Sequence, residues 1–289
     1  MSSVVAKPRS RRTLLPALII LVGVAIILYP VVATQWNNRV QQHVAQEYAD
    51  LVDAEPQQQL DERIEAARRY NASGAKGPIL DPWQSRIAKD NPAYSAYLAE
   101  LSGLPAMSQL MIPSIDVNLP VYHGTREDTL QKGLGHLFGT ALPVGGEGSH
   151  AVITGHTGIP TATLFDDLID VEVGDAIYLS TFGEKMKYRV YDTQVVLPDE
   201  VDSLTSQPGR DLVTLITCTP YGINSHRLLV HAERVEMDPE EAEVLDQATS
   251  TMQWWMWAIA LFALAVIVFL AAWVLRQRKK EEGQIHETS

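Results

Sequence analysis

The sequence predicts a mainly β chain: one closed or nearly closed barrel, preceded by helices and bracketed by two membrane-spanning helices. Three observations predict it. Between residues 109 and 235 seven or eight short apolar runs, several with strict alternation, are separated by Gly and Pro turns. Residues 36–70 instead carry apolar positions at spacings near three and four. A long apolar stretch lies near each end. Short strands with few helices among them close on themselves, because closure leaves no unpaired edge.

In chain order, Lys7, Arg9, Arg11 and Arg12 precede a stretch, residues 14–33, that is apolar except for Pro16, Gly23 and Pro30. It reaches the roughly 20 residues needed to cross a bilayer, with its basic flank on the cytoplasmic side. Val31 and Ala33 also read as a signal-peptide cleavage site; the length favours an uncleaved anchor, and either reading exports the chain beyond it. Residues 36–53 and 57–70 are predicted helices broken at Pro56, with Val40, His43, Val44, Tyr48 and Leu51 marking the apolar positions of the first and His43 itself at the surface. A turn-rich link, residues 71–78, leads to Asp81-Pro82-Trp83. Residues 91–101 read as a short helix with Asn91 as cap and Pro92 in the first turn. The period then changes to two, with strands from Gln109, His123 and His136 in glycine-flanked loops, and further strands at 151–153, 176–180, 185–197, 212–217 and 228–230. Residues 254–275 are continuously apolar, open with Trp254, Trp255 and Trp257, and stop at Arg276, Arg278, Lys279 and Lys280. That is the composition of a span with an aromatic interfacial belt and a cytoplasmic basic flank.

Composition excludes some functions. A formal net charge of −12 over 289 residues argues against a nucleic-acid partner. No histidine pair has a metal-ligand spacing, and one cysteine makes no thiolate cluster, so neither a metal nor a cofactor is expected. The carboxylates Asp166, Asp167, Glu172 and Asp175 lack the alternation of a calcium loop and read as a solvated turn.

The chemistry concentrates at Cys218, the sole cysteine, which ends an apolar strand. Most free cysteines are small buried hydrophobes. Outside the cell, however, an unpaired thiol is a liability unless it is used. Arg227 opens the next apolar run, so two strands joined by the Pro220–Gly222–Asn224 turn place a fixed cation beside the thiol. Such a cation promotes the thiolate and suits an oxyanion. The acid/base candidate is His156, opening a Gly/Pro loop after the strand at 151–153. His226 is its rival, but strand alternation sends His226 and Arg227 to opposite faces.

The stretches TLITCTPYGINSHRLLV, ITGHTGIPTATLFDDL and GLGHLFGTALPVGGEGSHAV resemble a class C, pilin-polymerising sortase over roughly residues 81–235. The resemblance implies a sortase-type eight-stranded β-barrel, with Cys218 as nucleophile, His156 as catalytic histidine and Arg227 as transition-state arginine. It also implies that Asp81, Pro82 and Trp83 form a lid, Asp81 near Arg227 and Trp83 over Cys218. The implied reaction is transpeptidation: an LPXTG-like sorting signal of a pilin is cleaved between Thr and Gly, and the thioacyl intermediate passes to a lysine amine of another pilin. A housekeeping sortase acting on a cell-wall precursor and a non-enzymatic, membrane-tethered binding barrel are the alternatives.

The expected organisation is a cytoplasmic basic tail (1–13), a transmembrane helix (14–33), an extracellular helical stalk (34–78), a lid segment (79–90), a catalytic barrel (91–236), a linker (237–253), a second transmembrane helix (254–275) and a cytoplasmic tail (276–289). Both termini are thus expected in the cytoplasm, with the catalytic domain outside and no homo-oligomer required.

Overall fold

The computed structural model describes residues 11–73, 79–83, 91–246 and 252–286. The basic tail before Arg11, most of the link at 74–78, the rest of the lid segment at 84–90 and part of the linker at 247–251 lie outside the described residues. The chain divides into two compact units, one of Met1–Gln35 with Met252–Ser289 and one of Trp36–Thr251.

In the first unit, two helices are long and apolar enough to cross a membrane: a stretch beginning at Leu15, and Trp254–Gln277. Their apolar side chains are largely exposed, which is costly in water and ordinary in lipid. The first, α1 (Arg11–Ala54), does not end at Ala33 but runs on through Pro30 into the second unit. The last, α5, spans Trp254–His286.

The second unit holds a closed barrel of eight strands: β1 (Ser108–Ile112), β2 (Val117–His123), β3 (Leu134–His136), β4 (His150–Thr154), β5 (Ala176–Thr181), β6 (Glu184–Val196), β7 (Leu212–Thr219) and β8 (His226–Val235). The order around the barrel is β1-β2-β3-β4-β7-β8-β6-β5. Pairing is antiparallel except for β2 with β3 and β4 with β7. Pro113 ends β1 in a 3-10 turn, while Pro120 is tolerated inside β2 opposite Gln109. His136, read from sequence as a loop residue, belongs to the three-residue β3 and His123 closes β2. Flanking glycines hid both: at Gly135 a Cβ would fall 2.3 Å from the Gly124 carbonyl oxygen, so close packing and not a turn dictates glycine there.

Alternation decides which face is which. Val213, Leu215, Leu228, Val230 and Ala232 fill the interior with Val121, Ile153, Leu179 and Tyr188. Val152, Ile216 and Leu229 point the other way and form a second, smaller apolar cluster with Leu137 and Leu204. Helices α1, α2 (Gln57–Ala72) and α3 (Pro92–Ala99) cover the barrel wall. On α1 the packed face is Gln41, Ala45, Tyr48 and Val52: Tyr48 is buried as predicted, the other three lie one position beyond the predicted Val40, Val44 and Leu51, and Val40 and Leu51 are exposed. Tyr48 sets that register: its hydroxyl donates to the Met107 carbonyl and accepts from the Phe182 N–H at 2.7 Å. Asn91 caps α3 as predicted, accepting from the N–H groups of Ala93 and Tyr94.

Three strands share a buried polar line. His150 Nδ1 faces the Thr205 carbonyl and so carries a proton; its Nε2 then accepts from Thr214 Oγ1, which accepts from Nδ1 of His231. Nε2 of His231 is left buried without a hydrogen bond among the described residues, and burial lowers the His231 pKa. The unfolded chain therefore binds a proton more readily than the folded one, and stability falls as the pH drops below about 6.5. His231→Gln, which keeps a donor for Thr214 and does not titrate, is expected to flatten that fall. Thermal midpoints of the two proteins between pH 7.5 and 5 check this, since their difference cancels groups of opposite sign such as Asp166. Parallel curves would refute it.

Candidate active site

The site forms where β4, β7 and β8 end on one rim. Cys218 is the penultimate residue of β7, and the antiparallel register sets it directly opposite Arg227 on β8, with Thr219 opposite His226. β4 runs parallel to β7 with Thr154 beside Ile216, so the residue two beyond its end, His156, arrives at the same rim. Two buried hydroxyls lock this junction: Thr154 Oγ1 donates to the Ile216 carbonyl at 3.1 Å and Thr217 Oγ1 donates to the Gly155 carbonyl at 2.8 Å. Gly155 has no room for a side chain, because a Cβ would lie 2.6 Å from Leu134 and 2.7 Å from Phe165.

The loop after His156 is held from two sides. Asp166, predicted to lie in a solvated turn, is instead half buried and accepts from Thr157 Oγ1 at 3.1 Å and the Gly158 N–H at 2.7 Å. Burial pushes its pKa up to about 6, against the pull of those two donors. From α1, Asn37 donates to the Thr161 carbonyl and Asn38 exchanges hydrogen bonds with Thr163.

Residues 79–83 lie across the rim. The Asp81 carboxylate takes Nε and a terminal nitrogen of Arg227 at 2.7 and 3.2 Å, both side chains being almost fully buried. The other terminal nitrogen donates to the carbonyls of Asn224 and His226. Trp83 stacks over Arg227, 4.7 Å from Cζ to the ring centroid, and its indole N–H donates to His156 Nδ1 at 3.3 Å. Pro82 offers its carbonyl to Thr125. Ile79 and Trp83 pack on the outer apolar cluster of Val152, Ile216 and Leu229. Sequence reasoning did not identify Ile79, since a lone isoleucine in a link carries no signal.

This arrangement disfavours the Cys218 thiolate. Burial raises the Cys218 pKa, the Arg227 charge lowers it, and the Asp81 carboxylate raises it again. Withdrawing the segment would take the Asp81 carboxylate off Arg227 and admit water to the rim.

The sortase domain family matches residues 110–235 of this chain. Sortase C-1 of Actinomyces oris is 54% identical, the match covering 62% of this chain and 99% of that one at a TM-score of 0.61. The chain belongs to the sortase family. Its neighbours include class C sortases, among them sortase C of Streptococcus pneumoniae, a structure described as bearing on catalysis and pilin substrate specificity (40% identical, 68% and 97% covered, TM-score 0.62). Sortase A of Corynebacterium diphtheriae is 49% identical, with 70% and 96% covered and a TM-score of 0.63, and it has also been solved as a lid mutant. This class C sortase is accordingly a cysteine transpeptidase, and Cys218 is its only cysteine.

Removing one partner of a buried ion pair costs about 3–5 kcal/mol when the other stays buried. Withdrawal of the segment would cap that cost by letting water solvate Arg227. Asp81→Ala with Trp83→Ala is therefore expected to leave the sortase folded, raise the rate of Cys218 alkylation, and move its pH midpoint downward. Ile79→Ser should do the same to a smaller degree by loosening the apolar contact. Rates of iodoacetamide labelling across pH 6–10 check this, and profiles identical to wild type would show that the segment does not restrain the thiol.

Proposed function

We propose that this sortase polymerises pilins. Cys218 attacks the Thr carbonyl of an LPXTG-like sorting signal, the Thr–Gly bond breaks, and the thioacyl intermediate passes to a lysine amine of a second pilin, leaving an isopeptide bond. Arg227 donates to the oxyanion formed at each attack. His156 protonates the departing amine and takes the proton of the incoming one. Residues 79–90 act as the lid, Asp81 and Trp83 standing in the closed state where the sorting signal reacts. The single observation carrying this reading is the segment itself: a carboxylate on Arg227 and an indole on His156, in a chain whose class C neighbours include one described for its pilin specificity.

The apolar stretches at 14–33 and 254–275, each with a basic flank, support a two-pass anchor with both termini in the cytoplasm and the barrel at 91–236 outside. Such an anchor keeps the enzyme where exported pilins emerge.

The test incubates protein carrying Asp81→Ala and Trp83→Ala with an LPXTG peptide and a lysine-bearing pilin fragment, reading intact mass. A thioacyl adduct absent in Cys218→Ala, together with a peptide–lysine conjugate, is the expected result. An adduct that transfers only to a cell-wall precursor amine would make the protein a housekeeping sortase.

A further inference from the structure

A contact outside the predicted site reaches the second nitrogen of His156. Glu127 opens the short helix α4 (Glu127–Leu130), in the connection between β2 and β3. One of its carboxylate oxygens, Oε2, lies 3.4 Å from His156 Nε2, close enough for a charge contact though not aligned as a hydrogen bond. The carboxylate is aimed: Gln131 Nε2 holds the other oxygen, Oε1, at 2.9 Å. The imidazole is mostly buried, whereas Glu127 is exposed, so the contact reaches in from the solvent side. Thr125, two residues earlier, donates to the Pro82 carbonyl, so this one connection touches both the covering segment and the histidine.

The opposite ring nitrogen receives the indole N–H of Trp83, and an atom that accepts a hydrogen bond has no proton of its own. A neutral His156 here carries its proton on Nε2, facing Glu127. We propose that Glu127 is a positioning residue for His156: its carboxylate retains the Nε2 proton, so that Nδ1, uncovered when Trp83 leaves, is the nitrogen that exchanges protons with the reactants. This is the third member of a nucleophile, base and orienting-group arrangement. In the first half-reaction Nδ1 takes the Cys218 thiol proton as the Sγ–C bond forms and passes it to the leaving amine as the C–N bond breaks. In the second, the Nδ1 lone pair takes a proton of the attacking amine as C–N forms and returns it to the Cys218 sulfur as C–S breaks. Through both, Nε2–H stays against Glu127, which also opposes the positive charge of the imidazolium.

The roles given to the reactants rest on the transpeptidase reading above; the assignment of the ring proton does not. The experiment uses the full-length protein in detergent micelles, with ¹⁵N-labelled histidine rings and His156→Gln to identify the His156 signals. In protein carrying Asp81→Ala and Trp83→Ala, the ring is expected as the Nε2–H form, and adding Glu127→Ala admits the Nδ1–H form. In the same background Glu127→Ala should slow adduct formation at Cys218 about two- to fivefold, the scale of an exposed charge contact. Glu127→Gln, whose amide oxygen still accepts from Nε2–H, restores the tautomer; the neighbouring Asp128→Ala changes neither. An unaltered Nε2–H ring together with unaltered rates in Glu127→Ala would overturn the proposal. Absence of any Cys218 adduct with Glu127 intact would instead sink the transpeptidase reading, and the ring signals would still decide Glu127.

Discussion

The parallel pairing of β4 with β7 is the constraint on which the site depends. Antiparallel β7 and β8 already bring Cys218 and Arg227 face to face, because a short turn joins them and the register is local. His156 comes from a strand far earlier in the chain, and nothing local delivers it. Thr154 and Thr217 do so by bonding reciprocally across the strand ends, Thr154 to the Ile216 carbonyl, which also accepts the Gly155 N–H, and Thr217 to the Gly155 carbonyl. Both hydroxyls are buried, so losing either removes a hydrogen bond that water is poorly placed to replace. The junction tolerates no slack on its other side, where Gly155 abuts Leu134 and Phe165.

Arg227 carries the electrostatics. In the proposed mechanism its two uses, pairing with Asp81 and facing an oxyanion, are exclusive because both draw on the same donors. A buried guanidinium with no partner is expensive, so the Asp81 pair adds to the contacts of Trp83 and Ile79 in holding the segment where it is seen. The carbonyls of Asn224 and His226 hold one terminal nitrogen of the guanidinium in place, so in that mechanism only the donors now on Asp81 would exchange a carboxylate for an oxyanion.

Much of this was legible in sequence, for identifiable reasons. The facing of Cys218 and Arg227 across the β7–β8 turn follows from turn chemistry and strand pairing within one short stretch, where local rules hold. The strands with clean period two were legible for the same reason. β3 was not, since three residues between glycines carry no period, and its place is set by β2 and β4 on either side. On α1 Tyr48 was read correctly, but the rest of the stripe was read one position off, because the hydrogen bonds of Tyr48 to Met107 and Phe182 help set the face and helical periodicity does not encode them. Asp166 was read as solvated because it sits in an acidic run; its use is spatial, and only the fold of the His156 loop shows it. Glu127 was invisible for the same reason.

The two sides of the rim are held by different means, and the difference suits the chemistry. The loop carrying His156 is fixed by polar bonds from Asp166, Asn37 and Asn38, and by the Phe165 N–H, which donates to the His156 carbonyl at 3.0 Å. Directional bonds of this kind fix angle as well as position, which the proton transfers proposed for His156 require. The contacts on residues 79–83 include the Asp81–Arg227 ion pair, the stacking of Trp83 on Arg227, the indole hydrogen bond, the Pro82 carbonyl and a patch of apolar surface. Several of these have an obvious replacement: an oxyanion or water for the carboxylate, another apolar side chain for Ile79. In the proposed mechanism the His156 loop is thus placed by directional bonds within the fold, while the segment over the rim makes contacts of kinds that an incoming chain can supply.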